Sequence, residues 1–135
     1  MDTNILVIGS GISGLSYAIK IAEKNPSLEI IMISKNSLLE SNTRYAQGGI
    51  AVVSNFEKDS FKKHVEDTLI AGAGECDKQV VEFVVKEGYE RLKELINWGT
   101  HFDKQKNVLH LTHEGGHSEK RIVHHKDKTG LEIQR

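Results

Sequence analysis

The stretch Ile5-Leu6-Val7-Ile8-Gly9-Ser10-Gly11-Ile12-Ser13-Gly14 decides how the rest of the chain is read. Four consecutive apolar residues have the length and composition of a strand buried on both faces. Glycines at positions 9, 11 and 14 follow at G-x-G-x-x-G spacing. Leu15, Ile19 and Ala22 then recur on one face of a helix from about Ile12 to Lys24. Strand, glycine turn and helix in that order make a cradle for the phosphates of a dinucleotide. Gly9 permits the sharp turn, Gly11 leaves room for a pyrophosphate, and Gly14 lets helix and strand pack closely. The helix start adds unpaired N–H groups and the positive end of its dipole. The competing reading of the same spacing is a tight strand-to-helix turn that binds nothing.

Leu28 to Ile33 reads as a second strand, completing a β-α-β unit whose parallel pair requires a right-handed crossover. Ile50 to Val53 is a short apolar strand. Asp59 to Ala71 reads as a helix capped by Asp59 or Ser60, with Phe61, Val65, Thr68 and Leu69 on its apolar face and Gly72 and Gly74 at its end. Asp77 to Trp98 repeats that periodicity, with Gly88 as its weak point and Gly99 as its stop. Both helices read as scaffold without a direct chemical role. Val108 to Thr112 alternates like a strand, and Glu114 to Ser118 is a glycine-containing loop. The fold class is therefore α/β, a Rossmann-like unit with a parallel sheet and flanking helices.

The chain has 135 residues, with 18 basic and 19 acidic side chains, a near-neutral balance that argues against nucleic acid as a partner. No apolar run approaches the ~18 residues needed to cross a bilayer, and the first strand begins too early for a signal peptide. A single cysteine, Cys76, points to a reducing, cytoplasmic setting and is expected just before a helix. There is one proline and no internal repeat. The last residues, Asp127 to Arg135, read as a helix capped by Asp127 with Leu131 opening its apolar face. Because that helix is cut short, residues 1–135 are expected to be part of a larger domain.

Which dinucleotide binds is less direct. The place after the second strand, where an acidic residue commonly holds the ribose, contains Ser34-Lys35. Lys35 admits three readings: a contact to NADP, a neighbour of FAD held by other means, or a solvated lysine. Further on, Ser41, Asn42, Thr43, Arg44, Tyr45, Ala46, Gln47, Gly48 and Gly49 combine small polar side chains with two adjacent glycines. Such a segment can bring main chain and N–H donors against a flat ring. A plain polar loop is the alternative.

This segment with the following Ile50-Ala51 resembles the flavin segment of the L-aspartate oxidase family, within the succinate dehydrogenase and fumarate reductase flavoprotein superfamily. The resemblance extends to Ile33-Ser34-Lys35, to His64 through Gly74, and to Glu114-Gly115-Gly116-His117-Ser118 with Arg121-Ile122. It implies an incomplete FAD-binding domain in which Gly9, Ser10, Gly11, Ile12, Ser13 and Gly14 line the pyrophosphate, Lys35 lies on the adenosine side, and Asn42 to Gly49 grip the flavin. It implies oxidation of L-aspartate to iminoaspartate, with oxygen or fumarate as electron acceptor and quinolinate synthase as recipient of the product in NAD biosynthesis. The family's catalytic arginine, capping domain and helical domain have no counterpart in residues 1–135, so the chain alone is expected to be inactive.

Glu114 is the substrate-orienting residue by this resemblance, and a carboxylate there suits a substrate bearing an α-ammonium group. His113, His117, His124 and His125 superficially resemble metal ligands, but structural zinc sites normally add cysteines and none lies nearby. His124 and His125, as strand neighbours, are expected to point opposite ways. Arg121 either pairs with a carboxylate or lies exposed, and Trp98 reads as core. The alternatives are a fumarate reductase or succinate dehydrogenase-type subunit and a non-catalytic nucleotide-binding module.

Overall fold

A computed structural model describes residues 2–135. Its first unit follows directly from the opening sequence. β1 (Ile5–Ile8) runs into the glycine turn, α1 (Ile12–Lys24) crosses over, and β2 (Ile30–Ile33) pairs with β1 in parallel, Ile5 opposite Ile30 and Ile8 opposite Ile33. β2 starts two residues later than expected because Leu28 is still in a turn, its N–H donating to the Asn25 carbonyl at 3.1 Å. The turn is closed by the Gly9 N–H, which donates to the Ile33 carbonyl at 2.8 Å.

The short helix α2 (Asn42–Tyr45) and strand β3 (Ile50–Ala51) come next. Two longer helices then pack against each other, α3 (Phe61–Ala71) capped by Ser60 and α4 (Lys78–Asn97) capped by Asp77. α4 runs through Gly88 without a break. A Cβ there would sit 3.6 Å from the Val52 Cγ2, so the glycine serves close approach to the core. Trp98 is only half-buried, with its indole N–H donating to Glu23 on α1 at 2.8 Å. It joins two helices at their edge and is not the core residue the sequence suggests.

The expected strand Val108 to Thr112 is two strands. β4 (Lys104–Gln105) and β5 (Val108–Leu109) form a hairpin, whereas β6 (Leu111–Thr112) joins β7 (Ile122–Val123) and β3 in an antiparallel sheet of order β3-β7-β6. The chain changes partner at His110. Val52, Leu92, Phe102 and Val123 form the central core where α4 covers this sheet. The N-cap position of the last helix, α5 (Thr129–Ile133), is held by Lys128, not Asp127, with no side-chain capping bond. Its buried face is Thr129 and Gly130, extended by Gln134, while Leu131 is exposed. No helix among the described residues is long and apolar enough to cross a membrane.

Candidate functional site

The site begins at the glycine turn. Gly9 has φ +110°, which an L side chain rarely adopts. At Gly14 an added Cβ would collide with the Gly9 carbonyl oxygen, so its bareness is what lets α1 sit on β1. Gly11 caps α1 without any side-chain hydrogen bond, and the first turn carries no acidic residue. The N–H groups of Ser13 and Gly14 keep their capacity for an anion, whereas that of Ile12 is taken by Thr43. Ser10 is buried, and its hydroxyl has no partner within the protein. A helix start whose N-cap residue has no side chain, beside an orphaned buried hydroxyl, fits a phosphate-bearing cofactor.

The second half of the site touches the first. Ser41 caps α2 by accepting the Arg44 N–H, and Thr43, the second residue of that helix, accepts the Ile12 N–H on its hydroxyl at 3.0 Å. The glycine turn and the serine-to-glycine segment are thus joined at one hydrogen bond across 31 residues. Asn42, Tyr45, Ala46, Gln47, Gly48 and Gly49 line the exposed side of this segment, with Arg44 half-buried. Gly48 has open space where a Cβ would be. Gly49 does not: a Cβ there would collide with Ile122 and the Val123 carbonyl of β7, so the sheet itself demands that glycine. Lys35 is exposed two residues beyond Ile33, the acceptor that closes the glycine turn.

Gln134 and Gly130 are the residues that sequence reasoning missed. The Gln134 amide donates to the carbonyls of Ser10 at 3.1 Å and Leu38 at 2.9 Å, and its oxygen accepts the Ser41 hydroxyl. One buried side chain therefore ties together the glycine turn, the segment after β2 and the start of α2. The Gly130 N–H donates to the Ala46 carbonyl at 2.9 Å, and a Cβ there would collide with the Thr43 carbonyl. The available signal was the pairing of a small residue with Gln134 four positions on, one face of a helix.

Glu114 begins the loop after β6. It is exposed, and the loop closes with a His117 N–H to Glu114 carbonyl bond at 3.3 Å and with Gly116 at φ +80°. β3 leaves the double glycine and β6 enters the Glu114 loop, and both pair with β7. They run parallel to one another, so Gly49 precedes the row Ile50–Val123–Leu111 while Glu114 lies beyond the row Ala51–Ile122–Thr112.

Beneath this loop lies Arg121, 0% exposed. Its guanidinium clasps Asp59 at 2.7 and 2.8 Å, reaches Asp67 at 2.5 Å and donates to His117 Nδ1 at 3.2 Å. Arginine has no acceptor, so Nδ1 accepts and the ring proton of His117 sits on Nε2. His64, packed beside His117, is held below the ordinary histidine value by burial and then by the Arg121 charge. Burial works to raise Asp67. The Ser118 N–H, the Arg121 guanidinium and the Ser118 hydroxyl outweigh it and hold the carboxyl down to about 2. A carboxyl lowered from its usual 3.8 makes the unfolded chain bind the proton first, so stability is lost as pH falls from about 4 towards about 2. Urea denaturation across that range should show this loss, and Asp67→Asn should flatten it.

His124 and His125 do not diverge. β7 ends at Val123, and both imidazoles turn towards Asp103, at 3.4 and 3.7 Å. The alternation of a strand does not apply to residues beyond its end.

A family model described as "FAD binding domain" matches residues 4–134. The L-aspartate oxidase of Vibrio cholerae is 47% identical over 97% of this chain and 25% of its own length. The chloroplastic L-aspartate oxidase of Arabidopsis thaliana is 48% identical over 96% of this chain and 19% of its own. A solved structure of a mutant E. coli quinol fumarate reductase superposes with a TM-score of 0.90 at 30% identity, covering 99% of this chain and 23% of that one. The chain thus spans a quarter or less of the length of these relatives. With its glycine turn joined to the serine-to-glycine segment and a family match from residue 4 to residue 134, the chain belongs to the FAD-binding domain family.

Proposed function

We propose that these residues form the FAD-binding portion of an L-aspartate oxidase, which converts L-aspartate to iminoaspartate. The observation that carries this reading is the identity of 47% to an L-aspartate oxidase across nearly the whole chain, against 30% to a fumarate reductase of closely similar fold. Bound FAD supplies the acceptor for the hydride leaving the substrate Cα. The residues of this chain bind and orient. Ser10 to Gly14 line the pyrophosphate, with the N–H groups of Ser13 and Gly14 left to meet it, Lys35 lies on the adenosine side, and Asn42 to Gly49 hold the flavin. Glu114 offers a carboxylate to the substrate ammonium, an attraction that strengthens as water is excluded. Oxygen or fumarate takes the electrons, quinolinate synthase receives the product, and the compartment in a bacterial cell is the cytoplasm.

The test is the whole protein encoded by the continuous reading frame, assayed with L-aspartate and with succinate as reductants. Yellow protein reduced by aspartate supports the proposal. Reduction by succinate alone transfers the chain to the fumarate reductase and succinate dehydrogenase reading, and a colourless protein that binds only ADP-like ligands makes it a non-catalytic module. Within the proposal, Glu114→Gln lowers kcat/KM for aspartate about tenfold or more. Fumarate reduction, whose substrate has no ammonium group, falls much less. Equal losses in both directions would refute ammonium recognition by Glu114.

A further inference from the structure

Glu114 poses a physical problem. It is exposed at the start of a loop whose next two residues are glycines, and it has no hydrogen bond or ion pair from its own side chain among the described residues. Glycines leave a loop free to sample many directions, and the entropy of that freedom opposes any single orientation. A carboxylate that must meet an ammonium group in one geometry therefore needs its backbone held by something rigid.

Asp67 anchors the far end of this loop at Ser118. It lies on α3, a helix capped by Ser60 and packed along α4. Its Oδ2 accepts both the N–H and the hydroxyl of Ser118, each at 2.8 Å. The same oxygen accepts from Arg121, which Asp59 holds by two further bonds, so Asp67 cannot swing away with the loop. Lys63 of α3 meets Glu119 at 2.6 Å on the exposed side of the same connection. Gly116 packs its bare Cα near α3, where an added Cβ would be 3.6 Å from that of Ala71.

We propose that Asp67 is a positioning residue of the reaction: by holding both donors of Ser118 it fixes the direction from which Glu114 meets the ammonium group of the amino-acid substrate. This rests on the aspartate oxidase reading. The alternative role for Asp67, a mere counterion for Arg121, makes a different prediction, because Ser118→Ala removes one bond to the loop and leaves the arginine pair intact.

The experiment is a double-mutant cycle in the FAD-loaded full-length enzyme, using Asp67→Asn, Ser118→Ala and Glu114→Gln. Asp67→Asn is expected to raise KM for L-aspartate about tenfold and Ser118→Ala about threefold, with flavin content unchanged. In the Glu114→Gln background each is expected to add less than about twofold, because its effect passes through Glu114. Equal fold losses in both backgrounds overturn the proposal. Amide exchange gives a readout independent of turnover. The peptide spanning residues 114–118 exchanges faster in Asp67→Asn while α4 is unaltered, and an unchanged loop overturns the proposal. Should Asp67→Asn fail to fold, Ser118→Ala carries the same cycle. If the unaltered enzyme does not oxidise aspartate, the functional reading fails and this proposal with it, whereas additive losses in an active enzyme remove only the role of Asp67.

Discussion

Arg121→Met is expected to lower the unfolding free energy by about 3–5 kcal/mol at neutral pH. The guanidinium is fully enclosed and, among the described residues, is the only cation within hydrogen-bonding reach of Asp59, itself 5% exposed, and Asp67. Taking three charges out of water is unfavourable, and the arrangement survives because each carboxylate is met by a short, charge-assisted bond. Methionine fills similar volume but leaves two carboxylates facing one another without a cation. Either they stay ionised and repel in a poorly solvated space, or they take up protons and lose their bonds to Ser60 and Ser118. The effect extends beyond the pair. Arg121 directly precedes β7, and its carbonyl accepts the Val52 N–H at 2.9 Å, so the same residue borders the core of Val52, Leu92, Phe102 and Val123. Urea denaturation checks the magnitude, and a loss below about 1 kcal/mol would show that the network contributes little. The pH dependence checks the cause. Asp59 and Asp67 both lie below the usual carboxylate range in the intact protein, so the gap between the two proteins should narrow as pH falls below about 4.

The parts of this molecule that were legible in the sequence are those whose causes are local. The first β-α-β unit depends on apolar runs and glycine spacing within a few dozen residues, and α1 occupies the span Ile12–Lys24 that its periodicity indicates. Ser60 and Asp77 cap their helices because a side-chain oxygen reaches the N–H groups two or three residues on. What was not legible depends on distant partners. Val108 to Thr112 alternates well enough to pass for one strand, but half of it pairs with a neighbouring hairpin strand and half with β7. β7 itself is two residues long, too short to show any period. Arg121 could be read as paired or exposed, since its carboxylates lie 62 and 54 residues earlier in the chain. The serine-to-glycine segment stood out through its residues and their resemblance, yet its support by Gly130 and Gln134 was hidden in a helix whose apolar residue, Leu131, suggested the wrong face.

That hidden support leads to the other large effect, at Gly130. Gly130→Ala is expected to weaken FAD binding by about tenfold or more, although position 130 lies on the scaffold side of α2. The added methyl group would collide with the Thr43 carbonyl and stand 2.8 Å from the Ala46 carbonyl oxygen. These are backbone atoms, so no side-chain rotation relieves the clash and α5 must move away from α2. Overpacking of this kind destabilises by about 1–3 kcal/mol. Its consequence is specific, because α2 carries Thr43, whose hydroxyl accepts the Ile12 N–H, and α5 leads into Gln134, whose amide holds Ser10, Ser41 and Leu38. Separating the helices therefore shifts the glycine turn and the serine-to-glycine segment relative to each other, a relation that one cofactor spanning both would need. Gly48→Ala is the informative companion. Nothing lies within 4 Å of the added carbon and the backbone angle suits alanine, so stability should change by less than about 0.5 kcal/mol. A flavin seated on that open main chain would still be displaced. Titration of the flavin-free full-length protein with FAD, followed by flavin fluorescence, should show both variants weakened, with only Gly130→Ala unfolding earlier in urea. Full FAD affinity in Gly130→Ala would mean that the contact between α2 and α5 does not set the cofactor cradle, and full affinity in Gly48→Ala would move the flavin off the double glycine.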